Sequence, residues 1–357
     1  MAEIFDLTAD SGDEQPQYAR RTDAQKPTID LTKDSDDEQP PAKRARPDET
    51  AAAEAAGTAA RQPVAPASDG RIRIVSWNAS GILPKSGKNR DKLARLVQRI
   101  GRVDAICVTE CTVKRGDLRV AGGRCSEEAA ARALLSGYTC HGPTHVQATG
   151  EHKGAGVLIY VRNDSPLARN GRLLPSPDWD RWGMVGRYVC DAGDIVWAYL
   201  PTPTAANAGL RKALDEEWPR LVRSHRTKLL CFCGDLNATL DQRLDATPGK
   251  WFTGTAYRVS REVLQTFIRD NYLIDVVRNK WPSTVKHTYF PNYDNRPARP
   301  DHFLVPMGRA TLVEDVVIPD RDPRFVDRST EHYKSQDKEG TLCGSDHVPI
   351  VVTMRLS

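Results

Sequence analysis

The stretch Lys228–Asp241, KLLCFCGDLNATLD, changes character at its middle. Leu229 to Cys233 is an unbroken apolar run of strand length, which reads as a strand buried in a sheet. Gly234 closes it, and Asp235 and Asn237 follow at once. A carboxylate and an amide at the mouth of a buried strand are usually turn chemistry. A repeated pattern of such strand ends is not.

The pattern repeats on both sides. RIRIVSW, DAICVTE, GVLIYV, GMVGRYVC, IVWAYL, RPDHFLV and VPIVVT all have the β-branched, apolar texture of strands. Between them, NRDKLARLVQRIGRV sets Leu93, Leu96, Val97 and Ile100 at helical spacing, EEAAARALL is a second helix, and SREVLQTFIRDNYL puts Val263, Leu264 and Phe267 on one face. Strands outnumber helices and several helices link them. The fold class is therefore α/β, a two-sheet β-sandwich flanked by helices, in one large domain over residues 71–357.

Five of these strands carry polar groups at one end. Asn78 lies in SWNASG, Glu110 in CVTECT, Asp235 and Asn237 in CGDLNATLD, Asp301 in RPDHFLV, and Asp346-His347 in GSDHVPI. Carboxylates, amides and an imidazole gathered at strand ends are what a shared active site on a sheet edge requires.

In this order, WN, E, GDLN, RPD and SDH resemble the endonuclease/exonuclease/phosphatase superfamily over residues 72–354, and most nearly its AP-endonuclease-like and LINE retrotransposon-type members. The resemblance implies a four-layer fold and a Mg²⁺-dependent (or Mn²⁺-dependent) phosphodiesterase acting on DNA. It also brings in Tyr199 of WAYLPTP, where this branch carries a strand-end tyrosine. Mg²⁺ takes one or two carboxylates and keeps several waters, which fits Glu110 with Asn78 and Asp346. Asp235 orients the attacking water, Asn237 holds the phosphate, and His347 meets the charge on the phosphoryl oxygen, its tautomer fixed by Asp301. Tyr199 assists the scissile phosphate or the leaving oxygen.

Three positions depart from the AP-endonuclease pattern: Thr109 stands where Gln is usual, Ser80 where Asp is frequent, and Ala298 where an aromatic residue walls the abasic pocket. Metal binding is expected to survive on Glu110; abasic-site specificity is not implied. Tyr289 and Phe290 are open to two readings, a replacement stacking surface or core. A tyrosyl-DNA phosphodiesterase of the same superfamily is an alternative, although that branch has a His-bearing motif where this chain has Tyr199-Leu200-Pro201. A catalytically inactive SUMO-dependent adaptor is another.

The rest of the chain concerns partners. Residues 1–70 hold 8 Lys+Arg against 15 Asp+Glu, and residues 71–357 hold 43 against 32, so an acidic tail precedes a body of net charge +11. A basic body suits a polyanion such as DNA. The tail is too poor in large apolar residues to fold alone and reads as disordered. Within it DLTADSGDEQP at Asp6–Pro16 recurs as DLTKDSDDEQP at Asp30–Pro40, identical at nine of eleven positions. Each copy joins an apolar patch (Ile4, Phe5 and Leu7; Ile29 and Leu31) to an acidic run, and so resembles SUMO-interacting motifs, which add a strand to a sheet edge. The cluster Lys43-Arg44-Ala45-Arg46 reads as a nuclear import signal, placing the protein in the nucleus. The first residues are acidic rather than basic-then-apolar, unlike a secretory leader. No apolar run approaches the roughly 20 residues of a membrane span, so no membrane partner is expected. The eight cysteines, including Cys107-x3-Cys111 and Cys231-x-Cys233, lack zinc spacing and read as reduced, structural thiols. The chain is expected to act as a monomer.

Overall fold

A computed structural model describes residues 70–83, 92–113, 117–120, 123–142, 156–174, 184–204, 207–224, 228–247, 254–290, 297–319 and 345–356. All belong to one compact unit, Val64–Ser357. The duplicated acidic motif and the basic cluster lie outside the described residues.

The first sheet contains β1 (Arg71–Asn78), β2 (Ala105–Thr109), β5 (Tyr138–His141), β6 (Leu158–Arg162), β13 (Val313–Val317) and β14 (Ile350–Arg355), in the order β13-β14-β1-β2-β6-β5. The second contains β7 (Arg172–Leu173), β8 (Val185–Cys190), β9 (Gly193–Tyr199), β10 (Leu229–Asp235), β11 (Leu273–Asp275) and β12 (Asp301–Pro306), in the order β11-β12-β10-β9-β8-β7. A small hairpin, β3 (Asp117–Val120) and β4 (Gly123–Ser126), stands apart. The two sheets share one pattern. Each has a single parallel pair at its centre, β1 with β2 and β10 with β9, flanked on both sides by antiparallel strands.

Side-chain alternation builds the layers. Ile72 and Ile74 of β1, Ala105 and Cys107 of β2, Ile195 and Trp197 of β9, and Cys231 and Cys233 of β10 meet in the core between the sheets. Their neighbours point the other way. Val75, Trp77, Ile106 and Val108 pack with Leu93 and Leu96 of α1 (Lys92–Ile100) and Ala131 of α2 (Glu127–Arg132). On the far side, Val196, Phe232 and Leu304 pack with Trp218 of α3 (Ala208–Ser224) and Leu264 and Phe267 of α5 (Thr255–Asp270). There the rings of Trp218, Phe232 and Phe267 lie 4.1–5.6 Å apart and fasten both helices to β10. Two short helices, α4 (Gln242–Asp245) and α6 (Val276–Lys280), complete a helix–sheet–sheet–helix sandwich. This is the fold class expected from the sequence. Cys107, Cys111, Cys140, Cys190, Cys231 and Cys233 are free thiols, and all but Cys190 are buried. No helix among them is long and apolar enough to cross a membrane.

Candidate active site

Parallel pairing decides where the polar residues go. In the first sheet Asn78 pairs with Thr109, so Asn78 and the next residue, Glu110, leave side by side. In the second, Asp235 pairs with Tyr199. β12 runs the other way, so its first residue, Asp301, also pairs with Asp235. Asp346 and His347 enter just before β14, next to β1. All of Asn78, Glu110, Tyr199, Asp235, Asn237, Asp346 and His347 line one cleft of about 290 Å³. Asp301 stands behind His347.

The loops that leave the parallel pairs are held from below. Past β1 and β2 the ladder continues through Ala79 N–H to Thr109 O (3.1 Å) and Gly81 N–H to Glu110 O (2.7 Å). The buried Lys92 ammonium donates to Ala79 O (2.9 Å) and Gly81 O (2.8 Å). In the other half, the buried Arg211 guanidinium donates to Pro201 O (3.0 Å) and Leu236 O (2.8 Å). On each side, one helix, α1 or α3, thus sends a cation to the carbonyls of the parallel pair's loops. Backbone strain collects at the same place: Ser80, Glu110 and Asn237 have φ of 47°, 49° and 45°. Left-handed non-glycine residues persist where surrounding structure over-determines them, and such residues cluster at functional sites.

At the centre, Asp235 accepts hydrogen bonds from Asn78 Nδ2 (2.9 Å), the Asn237 backbone N–H (2.9 Å) and Asn237 Nδ2 (3.3 Å). Burial first, then the carboxylates of Asp301 and Glu110, push its carboxyl up to about 7 against the opposing pull of His347 and the Asn237 N–H. The His347 Nδ1 faces Asp301 Oδ2 at 2.8 Å, and the Thr288 hydroxyl donates to the same oxygen at 2.6 Å. Burial alone would lower the imidazolium; Asp301, then Asp235 and Asp346, outweigh it and raise the group to about 10. With Nδ1 on Asp301, Nε2 is turned to the cleft, 3.9 Å from Asp235 Oδ2. The His347 backbone is fixed by Ser345 Oγ, which accepts its N–H (3.1 Å) and donates to Asn78 O (2.7 Å), and by Trp77 Nε1 donating to His347 O (3.1 Å). Burial, then Glu110, Asp235 and Asp346, drive the Tyr199 phenol well above its usual range, so it stays neutral and hydrogen-bonds Glu110.

Asp235, Asp301 and His347 bring one ligand atom each within 4.8 Å of one another. Two of the three are already committed to each other, because Asp301 Oδ2 accepts from both His347 and Thr288. That group reads better as a proton-handling relay. Glu110, Asp346 and Asn78 offer a different set, oxygen donors only, on the same cleft. Asn78 Oδ1 takes the Ser80 N–H at 3.0 Å and keeps a second lone pair. Hard oxygen donors fit Mg²⁺ or Mn²⁺.

The structure brings together every sequence-derived site residue. It divides the two open aromatics: Tyr289 lines the cleft, its ring 4.8 Å from that of His347, while Phe290 packs against the inter-sheet core. Sequence reasoning missed Thr288, Tyr257, Lys92 and Arg211. Only Thr288 had an adjacent cue, in HTYF just before the tyrosine already singled out.

The sequence model described as Endonuclease/Exonuclease/phosphatase family matches residues 75–347. Among solved structures, an AP endonuclease from Leishmania major superposes with a TM-score of 0.60 at 18% identity, covering 80% of this chain and 88% of its own. A 3′–5′ exonuclease from Neisseria meningitidis gives 0.57 at 19% identity, covering 80% of this chain and 100% of its own. No curated protein sequence matches the chain.

Proposed function

We propose that this chain, which belongs to the endonuclease/exonuclease/phosphatase family, is a divalent-metal-dependent phosphodiesterase that cuts DNA in the manner of an AP-endonuclease-like or retrotransposon-type endonuclease. One observation carries the reading: Asp301 is hydrogen-bonded to His347, whose Nε2 turns toward Asp235 at 3.9 Å, and this buried group opens on the cleft that Glu110 lines. When bound, a divalent cation held by Glu110, Asp346 and Asn78 would neutralise charge on the phosphoryl and leaving oxygens. Asp235, raised to about 7, orients a water and accepts its proton near neutral pH. Asn78 and Asn237 keep that carboxylate aimed. His347 carries a proton on Nε2 toward the oxygen that gains charge, and Asp301 keeps it there. Tyr199, kept neutral and hydrogen-bonded to Glu110 in the free site, would turn its O–H to the scissile phosphate or leaving oxygen once Glu110 is taken up by the cation.

The duplicated motif supports recruitment to SUMO or SUMOylated proteins through Ile4, Phe5, Leu7, Ile29 and Leu31, and the cluster Lys43–Arg46 supports a nuclear location. Two weak strand-addition motifs 24 residues apart suit a SUMO polymer, since the second contact becomes intramolecular.

The test is incubation of the purified chain with plain, nicked, abasic and 5′-tyrosyl oligonucleotides, with Mg²⁺, Mn²⁺ or chelator. Metal-dependent product from at least one DNA is expected. No product from any of them would replace the enzyme with the inactive adaptor.

A further inference from the structure

The cleft has an aromatic side that the chemistry above does not use. Tyr257, in the first turn of α5, and Tyr289, in the segment before β12, come from elements far apart in sequence, yet both line the cleft with Asp235 and His347. They also share a floor. Ala246 and Ala298 are buried to 4% and 1% exposure, and both tyrosines pack on this pair. The floor is a small ladder in which Ala246 bridges Ala298, Ala298 bridges Tyr289, and Tyr289 bridges His347. Hydrogen bonds from Tyr289 N–H to Ala298 O (2.8 Å) and from Ala298 N–H to Tyr289 O (3.0 Å) close it. The methyl groups of the two alanines leave room for rings above them, and the ladder registers those rings against the catalytic imidazole.

We propose that Tyr257 and Tyr289 form a stacking wall for the nucleobase next to the scissile phosphate, so that cleavage depends on a base at one flanking position. This rests on the reading of the cleft as a DNA phosphodiesterase site. A half-buried pair of rings beside a phosphate-handling centre is suited to a flat π-face, and every nucleobase has one. Such a wall selects for the presence of a base and tolerates its identity. A cleft of about 290 Å³ takes one base rather than a stack of several.

The test uses the full chain with Mg²⁺. After the cut position is mapped on plain DNA, the nucleoside on each side in turn is replaced by tetrahydrofuran, which removes the base and keeps the sugar. Tyr257→Ala is expected to lower kcat/KM on intact DNA by about 5- to 150-fold, mainly through KM. On the tetrahydrofuran substrate of one flank, its fold-loss should be at least fivefold smaller, a coupling that a purely structural defect would not produce. Tyr257→Trp should restore the rate, and Tyr257→Leu, which keeps apolar bulk without a π-face, should not. Equal losses on intact and baseless DNA, or full rescue by Leu, would overturn the wall. So would a wild-type preference for the baseless substrate. If wild type cuts no DNA at all, the functional reading itself fails; if it cuts DNA and Tyr257→Ala matches it within twofold, only the wall fails.

Discussion

Replacing Arg299 with Met should destabilise the protein more than any surface change, and the size follows from its partners. The side chain is fully buried beneath the site. Its Nε and Nη2 donate to Asp245 at 2.8 and 3.1 Å, and its Nη1 donates to Asp275 at 2.9 Å. Burial alone would raise both carboxylates; Arg299 outweighs it and holds them below the usual range. Removing one partner of a buried ion pair costs about 3–5 kcal/mol, because the other charge stays behind. Both carboxylates retain a partner, Asp245 the Arg278 guanidinium and Asp275 the His302 imidazole at 2.8 Å. The loss should therefore sit near the lower figure, about 3 kcal/mol, and not at twice the range. At about 2–4 °C per kcal/mol for a domain of this size, Tm should fall by about 6–12 °C. Urea unfolding followed by fluorescence of the buried Trp77, Trp197 and Trp218 measures the difference directly. Arg299→Lys should recover less than half, since a single ammonium cannot replace a fork that reaches two carboxylates. A loss below about 1 kcal/mol for Arg299→Met would refute the reasoning.

The same network sets an acid limit. Its carboxylates lie below their usual range, so their contribution is fully present above the unfolded value of about 3.9 and is lost as pH falls through the folded values. The urea midpoint of wild type should drop more between pH 5 and pH 3 than that of Arg299→Met, and parallel curves would contradict this. Asn237→Gly keeps the positive φ of 45° but removes the amide that aims Asp235, so kcat should fall at least tenfold while stability changes by about 1 kcal/mol or less. Unchanged kcat would remove Asn237 from the site. Substituting Ala for Ile4, Leu7, Ile29 and Leu31 together should abolish poly-SUMO pull-down and leave cleavage of naked DNA intact. Undiminished binding would disconnect the repeat from SUMO.

The strands that carry the site were legible in the sequence because they are apolar runs with a polar residue at one end, as in β10 with Asp235 and β12 with Asp301. Their convergence was legible from the recurrence of polar residues at strand ends together with the family resemblance of their order. What pairs with what was not: the parallel partnership of β10 with β9, which sets Tyr199 beside Asp235, has no local signature. The longest helix among the described residues, α3, has no clear sequence signal because Pro219 interrupts its interior and its apolar spacing is weak. The edge strand β13, VEDVV, is short and carries two exposed acids, Glu314 and Asp315, in its middle. Arg299, Asp245 and Asp275 stand 24 to 54 residues apart and meet only through tertiary packing. Thr288 and Tyr257 sit in a loop and at a helix start, where a hydroxyl or a ring has no periodic pattern to betray it.

The relay of Asp301, His347 and Asp235 is tested most directly by single-turnover cleavage of DNA at saturating enzyme and Mg²⁺, comparing wild type with His347→Ala and Asp235→Asn. Both groups are placed to act on the transition state, so each variant should cut about 10²- to 10⁴-fold more slowly while binding DNA within a few-fold of wild type. A His347→Ala enzyme that keeps a tenth or more of the wild-type rate would contradict the relay.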